Sequence, residues 1–206
     1  MEEVLDLYQA HYEPGHELVC ADESSKQLLA ETRAPLPLSS GQPARYDSEY
    51  ERHGTANLFL AFAPLRGWRT VQLTERRTKQ DWAHFVKELV DVHFPAATLI
   101  TLVVDNLNIH TYAALYETFP ADEAHRLKSK LRLHYTPKHG SWLNMAEIEF
   151  SVLSRQCLNR RIADRETFQS EVTAWATERN AKASTIQWRF TTADARIRLK
   201  HLYPKI

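Results

Sequence analysis

The sequence predicts one α/β domain, a mixed sheet of three antiparallel-linked strands followed by parallel strands, with helices on both faces. Residues 98–104 (Thr-Leu-Ile-Thr-Leu-Val-Val) form a near-continuous apolar, β-rich run, the pattern of a strand buried on both faces. Short links join the first three candidate strands, and Pro64-Leu65-Arg66-Gly67 suits a hairpin connection. Helical and strand patterns then alternate, and the chain finishes in helices.

In chain order, residues 16–22 make the first strand, with Glu17-Leu18-Val19-Cys20-Ala21 running into Asp22. Residues 55–64 make the second, through Leu58, Phe59, Leu60 and Phe62, and residues 68–75 the third, with Val71 and Leu73 on one face. Thr78 caps a helix, with Asp81 three residues on as a capping-box partner. Trp82, Phe85, Val86, Leu89 and Val90 form its buried stripe, and Pro95 stops it. Strand four ends at Asp105. Helices follow over 112–119 and 122–130, then a short strand over 131–135. Ser141 is the expected cap of a helix carrying Glu147. Asp164 opens a helix containing Phe168, Val172 and Trp175, and the last helix covers 193–202. Residues 32–54, with Pro35, Pro37, Gly41 and Pro43, read as a loop-like insertion, a length that in a compact domain points to function or mobility.

Composition bounds the class. At 206 residues, 43% hydrophobic and 25% charged, the chain can bury one sizeable core. No apolar stretch approaches the roughly 18 residues of a spanning helix, and Met1-Glu2-Glu3 is no signal peptide. Cys20 and Cys157 form no CxxC pair, which fits a reducing cytoplasm. His134 and His139 have a zinc-like gap but no accompanying cysteines, so they read as ordinary loop histidines. The balance of 26 basic and 26 acidic residues hides a division: the first 60 residues are acidic and the rest basic. Basic clusters lie over 126–132, 155–165 and 196–201, each readable as phosphate contacts or as a solvated face.

Two carboxylates at strand ends, Asp22 and Asp105, stand where open α/β sheets place their chemistry. With Glu147 they make an all-oxygen donor set of the kind magnesium prefers. Each has a plainer reading: Asp22 as a turn former, Asp105 as a loop aspartate before Asn106 and Asn108. Glu149 competes with Glu147, but two residues on a helix point about 200° apart, so only one can face the site. Glu149→Gln is therefore expected to be nearly silent. Glu23 alternates to the strand face opposite Asp22 and is not expected to be a ligand.

The order and neighbours of these carboxylates resemble a DDE-type transposase of the mariner superfamily, in its bacterial insertion-sequence branch. The matching pieces are Cys20-Ala21-Asp22-Glu23-Ser24, Tyr50-Glu51-Arg52-His53-Gly54-Thr55-Ala56-Asn57, Val104-Asp105-Asn106 through His110, and 136–147 (TPKHGSWLNMAE). Trp188-Arg189-Phe190-Thr191-Thr192 with Ala195-Arg196 adds to them. The resemblance implies a ribonuclease-H-like catalytic domain over 1–206. It makes Asp22, Asp105 and Glu147 the catalytic, metal-binding triad for two Mg2+ ions, with Mn2+ as substitute. Phosphoryl transfer asks a protein chiefly to orient the attacking oxygen and neutralise charge at phosphorus. Asp22 is the expected bridging ligand.

Asn106, His110 and Asn144 are expected to support the site, or to serve as loop and capping residues. Arg52, His53, Lys138 and Trp142 are candidate DNA contacts, with core packing the better reading of Trp142 and backbone geometry an alternative for the turn at Gly54. Forty-one residues lie between Asp105 and Glu147, more than in the tightest members of the superfamily, with the extra ones expected around 120–130.

The implied partners are transposon-end and target DNA, and a second copy of the chain in the active complex. The N-terminal helix-turn-helix modules of such transposases are expected to be absent here, as in a fragment, one frame of a split reading frame or a degraded copy, with a separately encoded segment as one candidate source of recognition. The implied setting is cytoplasmic and nucleoid-associated. A nuclease of the same fold without strand transfer, or a non-catalytic DNA-binding derivative, are the alternative functions.

Overall fold

A computed structural model describes residues 1–138 and 140–203. The five strands are β1 (His16–Glu31), β2 (Tyr50–Ala63), β3 (Trp68–Thr74), β4 (Leu99–Val104) and β5 (Leu131–Tyr135). They form one sheet in the order β3-β2-β1-β4-β5. β1 pairs antiparallel with β2 and parallel with β4; β2–β3 is antiparallel and β4–β5 parallel. This is the mixed, ribonuclease-H-like arrangement that the sequence and its resemblance imply.

The helices are α1 (Glu2–Gln9), α2 (Lys79–Glu88), α3 (Tyr112–Thr118), α4 (Ala121–Ser129), α5 (Met145–Leu153), α6 (Arg165–Ala181) and α7 (Thr192–Arg198). Side-chain alternation along β1 divides them between two cores. Leu18 and Cys20 pack with residues of α1, α5, α6 and α7, while Val19 and Ala21 pack with α2, α3 and α4. The Thr78–Asp81 capping box and the buried stripe of α2 form as the pattern predicts. The helix runs on as a π turn, Leu89–His93, before Pro95.

Four expectations change. β1 continues to Glu31 and β2 begins at Tyr50, so the expected 32–54 loop shrinks to the 32–49 connection of a long two-stranded arm. Beyond Asp22 the β1 side of the arm is mostly half-buried and residues 50–55 of β2 are exposed, so backbone pairing continues there without the regular apolar alternation that reveals strands in sequence. Arg161 secures it, pairing with Glu31 at 2.5 Å and donating to the carbonyls of Asp47 and Glu49. Ser141 does not cap α5; it starts a 3-10 turn, and Asn144 is the cap. His134 lies in β5, where its Nδ1 sits 2.9 Å from Glu3; His139 falls outside the described residues.

Many cations of the basic clusters are already paired: Arg126 with Glu123 and Asp91, Arg160 with Glu171, Arg196 with Glu2. Cys20 and Cys157 are buried free thiols. Among the described residues no helix is long and apolar enough to cross a membrane.

Candidate active site

Register places the two aspartates. Cys20 pairs with Val103 across the parallel β1–β4 ladder, so Asp22 and Asp105 each lie two residues further, side by side at the carboxyl end of the pair. Asp22 shares the face of Leu18 and Cys20, the one covered by α5.

Asn144 ties that helix to β1. Its side-chain oxygen accepts from the Ala146 N–H at 3.1 Å, and its Nδ2 donates to the Ala21 carbonyl at 2.9 Å. The helix start is thereby bonded to the residue preceding Asp22, with Glu147 in the first turn. Tyr8 adds a second anchor, its hydroxyl donating to the Leu143 carbonyl at 2.6 Å. Asn144→Ala removes both the cap and the inter-element bond. We expect a stability loss of about 1–3 kcal/mol by urea denaturation. Asn144→Asp keeps the cap acceptor, loses the donor and should fall between the two.

The carboxylates act on one another electrostatically. Burial pushes the Asp22 carboxyl up to about 7, and the charges of Glu23, Asp105 and Glu147 push the same way, against the Glu23 N–H bond at 2.8 Å to its Oδ1. Asp105 is held below the usual carboxylate range, chiefly by His110 and also by the Leu107 N–H at 3.0 Å. Burial of His110 favours its neutral form, but its bonds to Asp105 and Glu23 outweigh that and lift it to about 9.

Among the described residues no group of three or more His, Cys, Asp or Glu side chains stands at metal-holding spacing. The donor set nevertheless fits a hard cation: it is all carboxylate, one oxygen of Asp22 and one of Asp105 are fixed by protein N–H groups, and burial with mutual repulsion disfavours the charged state of Asp22 when no cation is present.

The supporting residues divide. Asn106 is exposed; its Nδ2 donates to the Thr136 carbonyl, bracing the ends of β4 and β5. His110 is fully buried and touches Asp105 directly, Nδ1 to Oδ1 at 2.8 Å. Lys138 is exposed. Trp142, expected to pack into the core, remains 44% exposed and instead stacks on Trp188 at 6.4 Å and meets Phe190 edge-on at 5.8 Å. Those partners belong to the C-terminal Trp188–Thr192 motif, which joins Tyr8 through Trp188.

Arg52 and His53 are not brought to the carboxylates. Arg52 pairs with Leu29, seven residues beyond Asp22 on β1, roughly 20 Å away along the arm. Its guanidinium lies over the Tyr50 ring, and His53 Nδ1 is 3.2 Å from the Ala163 carbonyl. A cavity of about 650 Å³ beside α6 includes none of the three carboxylates; of its four lining cations, Arg160, Arg179 and Lys182 are paired with Glu171, Glu149 and Glu178, and Arg155 is the fourth.

Sequence reasoning missed two carboxylates. Glu23 does face away from Asp22, yet its Oε2 is 2.9 Å from His110 Nε2. Glu149 is completely buried and bonded to Arg69 and Arg179. Its apolar neighbours Ile148 and Phe150 were the available hint of burial; nothing local pointed to arginines on two other elements.

Comparison with known proteins bears on the fold and the family. The Mos1 transposase paired-end complex with left transposon end is similar over 88% of this chain and 55% of that chain, at TM-score 0.59 and 17% identity. The Mos1 strand transfer complex is similar over 88% and 54%, at TM-score 0.60 and 15% identity. A Mos1 mariner paired-end complex with Mn gives TM-score 0.57 at 15% identity over 88% and 55%. The chain spans about half the length of these solved proteins, and the likeness is one of fold. No curated protein matches the chain. The model of the DDE superfamily endonuclease family matches residues 17–169, the span holding all three carboxylates, and the chain belongs to that family.

Proposed function

We propose that this chain is the catalytic domain of a DNA transposase. It cleaves phosphodiesters at transposon ends and joins the freed 3′-hydroxyl to target DNA. The observation that carries this is the juxtaposition of Asp22 and Asp105 on adjacent parallel strands, with Glu147 in the first turn of a helix bonded to the same strand. Two magnesium or manganese ions held by these carboxylates would supply Lewis-acid activation of the attacking oxygen and charge neutralisation at the leaving oxygen. Asp22, Asp105 and Glu147 are the residues that would hold these ions. The protein holds Asp22 Oδ1 with the Glu23 N–H and Asp105 Oδ1 with Leu107 and His110, fixing the direction in which each carboxylate presents itself.

Lys138 and the exposed edge of Trp142, just before α5, are positioned to meet DNA entering this pole. Arg52 and His53, out on the β1–β2 arm, would reach a more distant stretch of duplex or a second copy in a homodimeric complex. The proposed setting is cytoplasmic and nucleoid-associated.

The test is a joining assay. Pre-cut duplex ends bearing a 3′-hydroxyl are incubated with target plasmid, Mg2+ or Mn2+ and the chain at low salt, where backbone contacts are strongest. Joined product that disappears with chelator is expected. Cleavage without joining identifies a plain nuclease. Absence of both, with no metal binding at the carboxylates, identifies a non-catalytic derivative.

A further inference from the structure

We propose that Glu23 and His110 are a buried positioning pair that makes Asp105 a one-oxygen ligand and fixes its spacing from Asp22. The inference rests on the reading of Asp105 as a metal ligand and extends it to two residues that do not touch the metal.

His110 lies with both ring nitrogens on carboxylates: Nε2 is 2.9 Å from Glu23 Oε2 and Nδ1 is 2.8 Å from Asp105 Oδ1. Its side chain is fully buried and that of Glu23 is 3% exposed. The ring is clamped from the side by Trp82, 4.3 Å between centroids, and the Tyr135 hydroxyl donates to the His110 carbonyl at 2.6 Å. Arg77, at the rim, stands 3.8 Å from the other Glu23 oxygen. Asp105 Oδ1 accepts the Leu107 N–H and faces His110 Nδ1 as well. Among the described residues Oδ2 accepts no hydrogen bond. One oxygen is committed to the protein and the other is presented outward.

Glu23 also reaches the second aspartate. Its backbone N–H donates to Asp22 Oδ1 at 2.8 Å while its side chain holds His110. A single residue thus connects the two strand ends, to Asp22 directly and to Asp105 through the imidazole. Burying a carboxylate and an imidazole costs desolvation, which an apolar pair of the same volume would avoid. The arrangement is explained if it orients a ligand, as partners behind metal-binding side chains commonly do.

The test measures Mn2+ affinity by calorimetry at one pH, alongside metal-free thermal stability, in the full chain. His110→Gln places a donor near the Nε2 position and leaves Asp105 with the Leu107 N–H alone; it should weaken Mn2+ binding by about 10- to 100-fold. His110→Asn places a donor near the Nδ1 position, keeps support for Asp105, and should stay within several-fold of wild type. Glu23→Gln, which still accepts from Nε2–H, should bind more tightly than Glu23→Ala. Phe85→Leu, in the same core but off the pair, controls for destabilisation: it should lower the melting temperature with little change in affinity. Equal affinities for His110→Gln, His110→Asn and wild type would overturn the proposal. So would losses that track melting temperature on the line set by Phe85→Leu. If wild type itself binds no Mn2+, the ligand reading falls and this inference with it.

Discussion

Asp22→Asn, Asp105→Asn and Glu147→Gln are each expected to reduce strand cleavage and joining below about a thousandth of wild type while the chain stays folded. Each swap preserves volume and hydrogen-bonding capacity and removes one anionic oxygen donor. Asp22→Asn carries a second, opposite signature. The folded Asp22 carboxyl sits near 7 against an ordinary 3.8, so its ionisation opposes folding. A group raised in this way contributes stability at low pH and loses it as pH climbs from about 4 to about 7. The shift corresponds to at most about 4 kcal/mol, and solvent screening at this half-buried position brings the expectation to about 2 kcal/mol.

Metal-free Asp22→Asn should therefore be more stable than wild type by that amount at pH 8, and the two should converge near pH 4. Chemical denaturation in chelator at the two pH values decides it. An equal gap at both would mean that Asp22 is not a carboxylate burdened by burial and its neighbours.

Glu149→Gln is expected to cost about 3–5 kcal/mol, the penalty for leaving buried charge unpaired. Glu149 accepts from Arg69 Nε at 2.9 Å and Arg179 Nε at 2.8 Å, and neither its side chain nor that of Arg69 has any solvent exposure. Arg69 also donates to the Gly67 and Ser184 carbonyls, and the Asn180 side chain bonds both its backbone N–H and carbonyl. Neutralising Glu149 leaves two guanidinium groups facing each other over Phe62 and Trp175. The expectation from sequence, a nearly silent change, is reversed. Arg69→Met with Glu149→Leu should be less damaging than Glu149→Gln alone, because it removes the fully buried Arg69 charge along with its partner and leaves only Arg179, whose side chain reaches solvent. Thermal melts of the single and double variants check both statements. Activity should fall with stability, since this cluster fixes the rotation of α5 that points Glu147 away from Glu149.

The sheet was legible in the sequence wherever burial shaped it. Residues 98–104 are apolar because β4 has cores on both sides, and the 16–22 reading stopped at Asp22 because full burial gives way there to mostly half-buried polar positions. On the arm beyond, Leu28 is the one fully buried residue of β1 and residues 50–55 of β2 are exposed, which leaves little hydrophobic period to read. The same division holds at the site. Asp22, Asp105 and Glu147 are recognisable because local context marks each one. Glu23, His110 and Glu149 owe their roles to partners 87, 5 and 80 residues away in the chain, and for Glu23 and Glu149 only the fold reveals them.

The Asn144 bond to Ala21 separates distance along the chain from distance in space. Glu147 is set by the start of its own helix against β1, so the count of residues since Asp105 does not determine where it lands. Within this stretch lies α4, which buries Ala124 and Leu127 in the core on the opposite face of the sheet. A lineage could therefore add or delete a helix between the second and third carboxylates without moving either, provided the asparagine three residues before the glutamate is kept. The spacing between these residues then records the history of the loop and says little about the chemistry.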